Sequence, residues 1–246
     1  MNYPPQRNTT SLSRPWTLRQ PYVYRYLERQ FVDEFFETGA LRLSSFKKFA
    51  KHEDEARLDT QEGKGLVAHQ YKIGKGQSIT GYLVYGEDSY VLCGAMRHDV
   101  EIMAAFPRAN SGFRINDTVR FADCIAHHIP GFKGGSEGPC IYLPKRIVHR
   151  NLGHVDETLL NDDNAPGQLS VEKMQNFLSE LDSGDQCFLK HRGFGWQCEY
   201  RFLWQTTHET NDHIFVNAPE AREFCTRLEE LEVENMVDWL ALGFSF

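Results

Sequence analysis

The chain has 246 residues, of which 41% are hydrophobic and 13% aromatic, so it is long enough for one large domain or two small ones with an apolar core. Its formal charge of −7 argues against a globally basic protein that seeks phosphate groups. The six cysteines form no CxxC pair, which argues against a zinc ribbon or a thioredoxin-like motif. We expect reduced, mostly buried cysteines.

The first 20 residues are polar, contain several prolines and serines, and lack the apolar stretch of a secretory signal. They predict a flexible N-terminal tail. No run of about 18 apolar residues occurs in the sequence, which argues against a membrane span. These features together predict a soluble, cytoplasmic protein without a membrane partner.

A strand, a helix and a second strand are predicted directly after the tail. Aromatic and β-branched residues favour a strand over 22–27, apolar residues at helical spacing favour a helix over 28–37, and 40–46 favours a strand again. Arg25 lies inside the first strand, where a charge is costly unless it is paired or meets an anion. The second strand ends on Ser44, Ser45 and Phe46.

Residues 47–65 are strongly charged and allow two interpretations. They form either a solvated helix or loop, or a flap over a site, in which Arg57, Asp59 or Glu62 touches a ligand. A metal site built from Glu53, Asp54 and Asp59 is a further, nonspecific alternative.

The middle and late parts of the chain predict further strands and helices. Three strands separated by glycine-containing turns indicate an antiparallel meander. Asp117 or Thr118 can cap one helix and Ser170 another. The predicted segments are strands at 66–73, 78–85 and 89–96, a helix at 119–128, a loop at 131–138, a strand at 140–149, a loop at 151–169, strands at 186–190 and 214–216, and a C-terminal helix opened by Asn217-Ala218-Pro219.

The stretch 193–204 begins with glycines and continues as an aromatic strand of period close to two. Gln197 and Glu199 are two residues apart, so we expect both side chains on one face. A carboxylate at the mouth of such a strand can orient a sugar hydroxyl and stabilise positive charge that develops on the ring. Alternatively, Glu199 pairs with Arg201 or another cation on a sheet surface.

Arg25 in the first strand, Ser44-Ser45 at the end of the second, and Gln197-Cys198-Glu199 at a late strand resemble the arginine–serine–glutamate arrangement of ADP-ribosyltransferases. The opening Tyr-Arg-Tyr-Leu resembles bacterial members that modify DNA or RNA, several of which are toxins held by an antitoxin or act in phage defence. The pattern of Trp196, Glu199 and Arg201 also resembles an uncharacterised bacterial family of similar layout.

The resemblance implies a transferase that uses NAD as co-substrate, needs no metal, and modifies a nucleic-acid or protein acceptor. It implies that Glu199 is the catalytic carboxylate and that Gln197 orients the acceptor. The other implied site residues are Arg25, Ser44, Ser45 and Phe46 for NAD, with Trp196 and Arg192 for the substrate. For a toxin it also implies an inhibitory antitoxin.

The fold implied by the resemblance is α+β: a split, mostly antiparallel sheet with flanking helices. We expect a single domain over 21–246 with an insertion around 64–169. Arg25 and Glu199 are 174 positions apart (199 − 25) and are predicted to meet in the central cleft. If these two side chains lie on opposite faces of the sheet, the argument for a transferase from the resemblance fails.

Two other functions remain open at this point. One is a metal-dependent hydrolase or nuclease that uses carboxylates of 53–62 with His127 or His128, although these adjacent histidines point to different faces of a helix. The other is a catalytically silent binding module with the aromatic strand as its docking surface.

Overall fold

The computed structural model describes residues 22–46, 66–73, 77–84, 88–106, 108–154, 156, 159–163, 165–180 and 185–229. The described chain divides into two compact units. The larger unit contains the described residues of 22–46, 88–140 and 194–229, and the smaller those of 66–84 and 141–193. Residues 88–140, which we expected within an insertion, therefore belong to the same unit as the described residues of 22–46 and 194–229.

The structure is α+β, with many strands and few helices. The strands are β1 (Val23–Leu27), β2 (Ala40–Ser45), β3 (Leu66–Ile73), β4 (Gln77–Val84), β5 (Ser89–Ala95), β6 (Ser111–Ile115), β7 (Phe132–Pro139), β8 (Ile141–Leu143), β9 (Ile147–His154), β10 (Asn161–Asp162), β11 (Ala165–Leu169), β12 (Leu189–His191), β13 (Glu199–Thr206), β14 (His213–Asn217) and β15 (Cys225–Arg227). The α-helices are α1 (Arg29–Thr38), α2 (Val100–Ala104), α3 (Thr118–Ala126) and α4 (Val171–Glu180), and 3₁₀ helices cover Asp185–Phe188, Arg192–Gln197 and Pro219–Phe224.

The larger unit is built on one antiparallel sheet of order β14-β2-β5-β1-β6-β15, with β13 between β5 and β7. Along one edge, β5 pairs with β13 from Ser89 to Ala95. Its other edge is shared by two strands, because β2 pairs at Tyr90 and Val91 while β1 pairs at Ala95. The sheet therefore divides between β1 and β2 along this edge of β5.

One face of this sheet carries the main core. The rings of Tyr200, Phe202 and Trp204 in β13 point to it and pack with the buried side chains of α1 and α3. Phe121 of α3 lies 5.4 Å from Phe202 between ring centroids, and the Trp204 indole N–H donates to the Ala122 carbonyl at 3.0 Å. Helix α3 begins as predicted, with the Asp117 carboxylate accepting from the Arg120 N–H at 3.1 Å.

Glu137 of β7 is a largely buried carboxyl on the same core face, opposite Phe202. Its Oε1 accepts from the Thr118 hydroxyl at 2.7 Å, and its Oε2 is shielded from solvent. Burial raises the pKa of Glu137 from an ordinary 4.5 to about 7; the Thr118 and Tyr200 hydroxyls oppose this, and the charge of Asp117 adds to it.

Because the folded protein holds this proton to a higher pH than the unfolded chain, the stability from Glu137 is complete below pH 4.5 and is lost as the pH rises to about 7. One pKa unit corresponds to ~1.4 kcal/mol. The free energy of unfolding of Glu137→Gln, relative to that of wild type, should therefore be about 2–3 kcal/mol larger at pH 8 than at pH 5. Urea unfolding of both proteins at the two pH values measures this gain, with the exposed Glu34→Gln as control. An equal difference at pH 5 and pH 8 would show that Glu137 does not titrate in this range.

The smaller unit contains a three-stranded sheet of order β4-β3-β9, in which β3 is antiparallel to β4 and parallel to β9. Strands β8 and β12 pair in parallel, and β10 and β11 form a short hairpin. Ser170 caps α4 as predicted, since its hydroxyl accepts from the Lys173 N–H at 3.3 Å.

Several predicted elements differ from the structure. The three strands of 66–96 form no meander, because β5 lies in the sheet of the larger unit. The predicted loop 131–138 is strand β7, and the predicted loop 151–169 contains the end of β9 together with β10 and β11. The predicted C-terminal helix is a 3₁₀ helix followed by β15. In the part of the chain that the structure describes, no helix is both long and apolar enough to cross a membrane.

Candidate functional site

Glu199 is the first residue of β13, and it lies on the sheet face opposite the main core. The main-core face carries Tyr200, and side chains alternate along a strand. Glu199 is only 6% exposed, and it is held at its backbone by the bond from the Cys140 N–H to its carbonyl, at 2.8 Å. The carboxylate is therefore fixed by the sheet rather than carried on a loop.

Arg201 is the charged neighbour of Glu199 on this face. Its Nε lies 2.5 Å from the Glu199 Oε1, and its side chain is 1% exposed. The Arg201 guanidinium carbon also lies 5.8 Å from the centre of the Phe46 ring, which is itself 4% exposed. The ion pair of Glu199 with Arg201, which we predicted as the alternative to a catalytic role, thus exists, but it is buried rather than on a sheet surface.

Two tyrosines and a histidine extend the same face. Tyr24 and Glu199 both pair with Ala95, so the three residues form one row across β1, β5 and β13. The Tyr24 ring stacks on His98, with 5.3 Å between centroids, and Tyr26 lies 6.2 Å from His98. Burial raises the pKa of Tyr26, whose hydroxyl accepts from the Asp99 N–H at 2.9 Å.

Arg25 lies between these tyrosines in β1, so its Cβ points to the main-core face, as do those of Val23 and Leu27. Its guanidinium donates from Nη1 to the carbonyl of Cys93, the residue opposite Arg201. The register therefore does not support the expectation that Arg25 and Glu199 meet on one face. The physical reason is that Tyr24, and not Arg25, pairs with Ala95, the residue that also pairs with Glu199. Because side chains alternate along β1, Arg25 then points to the opposite face of the sheet.

The two predicted serines are also divided between the faces. Ser44 pairs with Val91, which in turn pairs with Leu203, so Ser44 lies on the Glu199 face, two rows from Glu199 itself. Ser45 is fully buried on the core side, and its N–H and hydroxyl both donate to the Asp212 carbonyl, at 3.0 and 3.3 Å. Ser45 thus ties β2 to the turn before β14.

The other predicted residues precede β13. Gln197 ends a 3₁₀ helix and is 6% exposed, whereas Trp196 is 41% exposed. Because Cys198 has a φ of 44°, strand alternation does not carry over from Gln197 to Glu199, and the expected shared face does not follow. Arg192 is exposed and belongs to the smaller unit.

Cys198 holds the left-handed backbone conformation directly before Glu199. Its carbonyl accepts from the Met96 N–H at 2.8 Å, and its N–H donates to the Gly195 carbonyl at 3.2 Å. A non-glycine residue in this region is strained, and such strain is frequent at functional sites. The conformation determines the angle at which the chain enters β13 and hence the direction of the Glu199 side chain.

We therefore expect Cys198→Val to lower the free energy of unfolding by roughly 2 kcal/mol relative to Cys198→Gly, because a β-branched side chain disfavours positive φ and glycine accepts it. Urea denaturation of both variants measures the difference. Cys93→Val, the same change within regular strand β5, serves as the control and should cost much less. Equal stabilities of Cys198→Val and Cys198→Gly would refute a strained position.

The metal alternative receives no support from the described residues, in which no three His, Cys, Asp or Glu side chains are placed to hold an ion. The Nδ1 of His127 donates to the Asp123 carbonyl at 2.9 Å, and the Nε2 of His128 lies 3.1 Å from the Glu220 carboxylate. The carboxylates of 53–62 lie outside the described residues. None of the six cysteines, all of which lie in the described part of the chain, is in a disulfide. The expectation that most of them are buried is wrong, because only Cys140 and Cys187 are buried and the other four are half-buried.

Comparisons of the chain with models of protein families, with curated proteins and with solved structures give no match. The site therefore has to be interpreted from its own geometry. That geometry brings together Glu199, Arg201 and Phe46, with Tyr24 in the same row as Glu199.

Sequence reasoning missed Tyr24 and His98 and did not give Arg201 a place in the site. A signal for the tyrosines was present, because the alternation of Tyr24, Arg25 and Tyr26 already places the arginine on the face opposite the two rings. His98 lies in the turn after β5 and carries no sequence pattern that links it to β1.

Proposed function

We propose that the protein is an ADP-ribosyltransferase that takes NAD as co-substrate and modifies a macromolecular acceptor, either nucleic acid or protein. The observation that supports this most is the fixed position of Glu199 at the start of β13, in one row with the Tyr24 ring, beside the split of the sheet. A bacterial toxin or phage-defence effector, with an inhibitory antitoxin as partner, is the biological role that we propose with it.

In this reaction the bond between nicotinamide and ribose C1′ breaks, and its electron pair leaves with nicotinamide. The Glu199 carboxylate orients a ribose hydroxyl and stabilises the oxocarbenium-like centre at C1′. A nucleophilic atom of the acceptor then forms the new bond to C1′ and gives up its proton. Water in place of the acceptor yields free ADP-ribose.

A catalytically silent binding module is the second candidate, and the ion pair of Glu199 with Arg201 favours it. Two charges that satisfy each other inside the protein are also what a purely structural role would give. The aromatic strand is not its docking surface as we predicted, because Tyr200, Phe202 and Trp204 are buried in the main core. The placement of the Arg25 Cβ on the other face agrees with this candidate as well, because the arginine–serine–glutamate arrangement then loses its arginine. The transferase proposal therefore rests on the position of Glu199 and not on Arg25.

A label-transfer assay separates these candidates. The purified protein is incubated with labelled NAD and separate pools of RNA, DNA and cell protein. Label in one pool supports the transferase and identifies the acceptor class, and free ADP-ribose without labelled acceptor indicates an NAD hydrolase. If NAD is not consumed and does not raise the melting temperature, the binding module is favoured, because a ligand of the native state must stabilise it.

A further inference from the structure

Arg201 is held on two sides by described residues. Its Nε lies 2.5 Å from Glu199, and the ring of Phe46 lies within about 6 Å of its guanidinium, the range of a cation–π contact. The side chains of Arg201 and Glu199 are 1% and 8% exposed, so the pair is nearly out of reach of water. Water therefore hardly competes with Glu199 for the Arg201 guanidinium, and the ion pair holds one arrangement.

We propose that Arg201 is the positioning residue of the site, which keeps the Glu199 carboxylate ionised and in one orientation for NAD. This inference rests on the proposed function. It also gives Phe46 a different task from the NAD contact implied by the resemblance, because its buried ring supports the guanidinium.

Physical chemistry favours an arginine for this role. A carboxylate that must act on a developing positive charge has to be ionised, and a neighbouring cation favours that form. The planar guanidinium of arginine both donates along a fixed direction and lies against an aromatic ring, whereas a lysine ammonium is a point charge on a flexible stem. A buried ion pair is weak evidence for stability alone, since well-packed apolar residues often replace such pairs without loss.

The larger unit contains a second trio of an arginine, a carboxylate and a phenylalanine, which provides a more exposed control. Arg227 of β15 lies 2.5 Å from Asp33 of α1 and 4.6 Å above the ring of Phe36. Arg227→Met removes an arginine from a carboxylate and an aromatic ring, as Arg201→Met does, but away from Glu199. Because Arg227 and Asp33 are 21% and 42% exposed, Arg227→Met controls for the loss of an arginine from such a trio but not for the loss of a buried one.

The first measurement is a pH titration of the side-chain carboxyl signals by NMR, with ¹³C-labelled glutamate. Glu199→Gln identifies the Glu199 signal by its loss. We expect that signal to titrate at higher pH in Arg201→Met than in wild type, and to remain unchanged in Arg227→Met and close to wild type in Arg201→Lys. An unchanged Glu199 titration in Arg201→Met would overturn the proposal, whether or not the protein turns over NAD.

The second measurement is the rate of NAD turnover. Arg201→Met should lower kcat on the order of 10- to 100-fold, the range for loss of a charge-assisted hydrogen bond, with little change in KM for NAD. The acid limb of its pH–rate profile should move to higher pH, and Arg201→Lys should restore the limb but only part of kcat. A wild-type kcat and profile in both variants would overturn the proposal.

These two measurements distinguish failure of the inference from failure of the proposed function. A wild-type protein without NAD turnover ends the transferase proposal, while the NMR titration still decides whether Arg201 controls Glu199. If Arg201→Met does not fold, Arg201→Lys decides the question: it retains the charge without the planar fork, so a full wild-type kcat in this variant contradicts the role given to the guanidinium.

Discussion

Glu199→Gln is expected to reduce NAD turnover by about 10²- to 10³-fold while NAD binding changes little. The substitution keeps the size of the side chain and an oxygen that can accept from Arg201, but it removes the negative charge that stabilises the transition state. Loss of one such electrostatic interaction corresponds to roughly 3–4 kcal/mol in the activation barrier. The initial rate of nicotinamide release, divided by the concentration of folded protein, measures the NAD turnover of each variant.

The neutral glutamine leaves the buried Arg201 without its counter-charge, so the melting temperature of this variant has to be recorded beside its rate. Glu137→Gln is the matched control, because it makes the same change to another largely buried glutamate on the opposite face of the sheet. It should turn over NAD as wild type does. A folded Glu199→Gln protein with wild-type turnover would rule out Glu199 as the catalytic carboxylate.

The second large effect concerns Gly39, which ends α1 in the left-handed conformation with a φ of 84°. Its N–H donates to the Phe35 carbonyl at 2.7 Å, and its carbonyl accepts from the Ala218 N–H at 3.0 Å. A Cβ at this position would lie 2.3 Å from the backbone nitrogen of Pro219 and 2.5 Å from the carbonyl carbon of Ala218. Backbone atoms cannot move aside as the end of a side chain can.

Gly39→Ala should therefore lower the free energy of unfolding by roughly 3–5 kcal/mol, which combines the strain of positive φ with the overlap at Pro219. Thermal and urea unfolding measure the change. Gly134→Ala on β7 is the control, because a Cβ there meets only the Gln205 Oε1, at 3.9 Å. A Gly39→Ala protein as stable as Gly134→Ala would contradict the close approach of the α1 terminus to Pro219.

Local patterns in the sequence predict the elements whose side chains carry their own periodicity. The alternation of 199–204 gives β13, and Asp117 marks the start of α3. β7 was missed because its glycines and polar residues resemble a loop. It is a strand because β13 provides the partner, and at Gly135 a Cβ would lie 2.7 Å from the Leu203 carbonyl oxygen.

The site was predicted less completely than the fold because it depends on register between distant segments. The sequence indicates Glu199 as the strand-entry carboxylate, but it does not contain the pairing of Ala95 with both Tyr24 and Glu199. That pairing decides which of Tyr24 and Arg25 shares the face of the carboxylate. Strand register is determined by contacts across the whole sheet, so no local pattern could have predicted it.

The larger unit is discontinuous in sequence, and this has a consequence for its assembly during protein synthesis. Strand β5 is translated early, but its partner along a whole edge, β13, follows about a hundred residues later, after the entire smaller unit. Until then the edge of β5 stays open, and an open edge readily pairs with another chain. Non-local pairing of this kind also slows folding. The nascent chain should therefore need a chaperone most between the synthesis of β5 and that of β13.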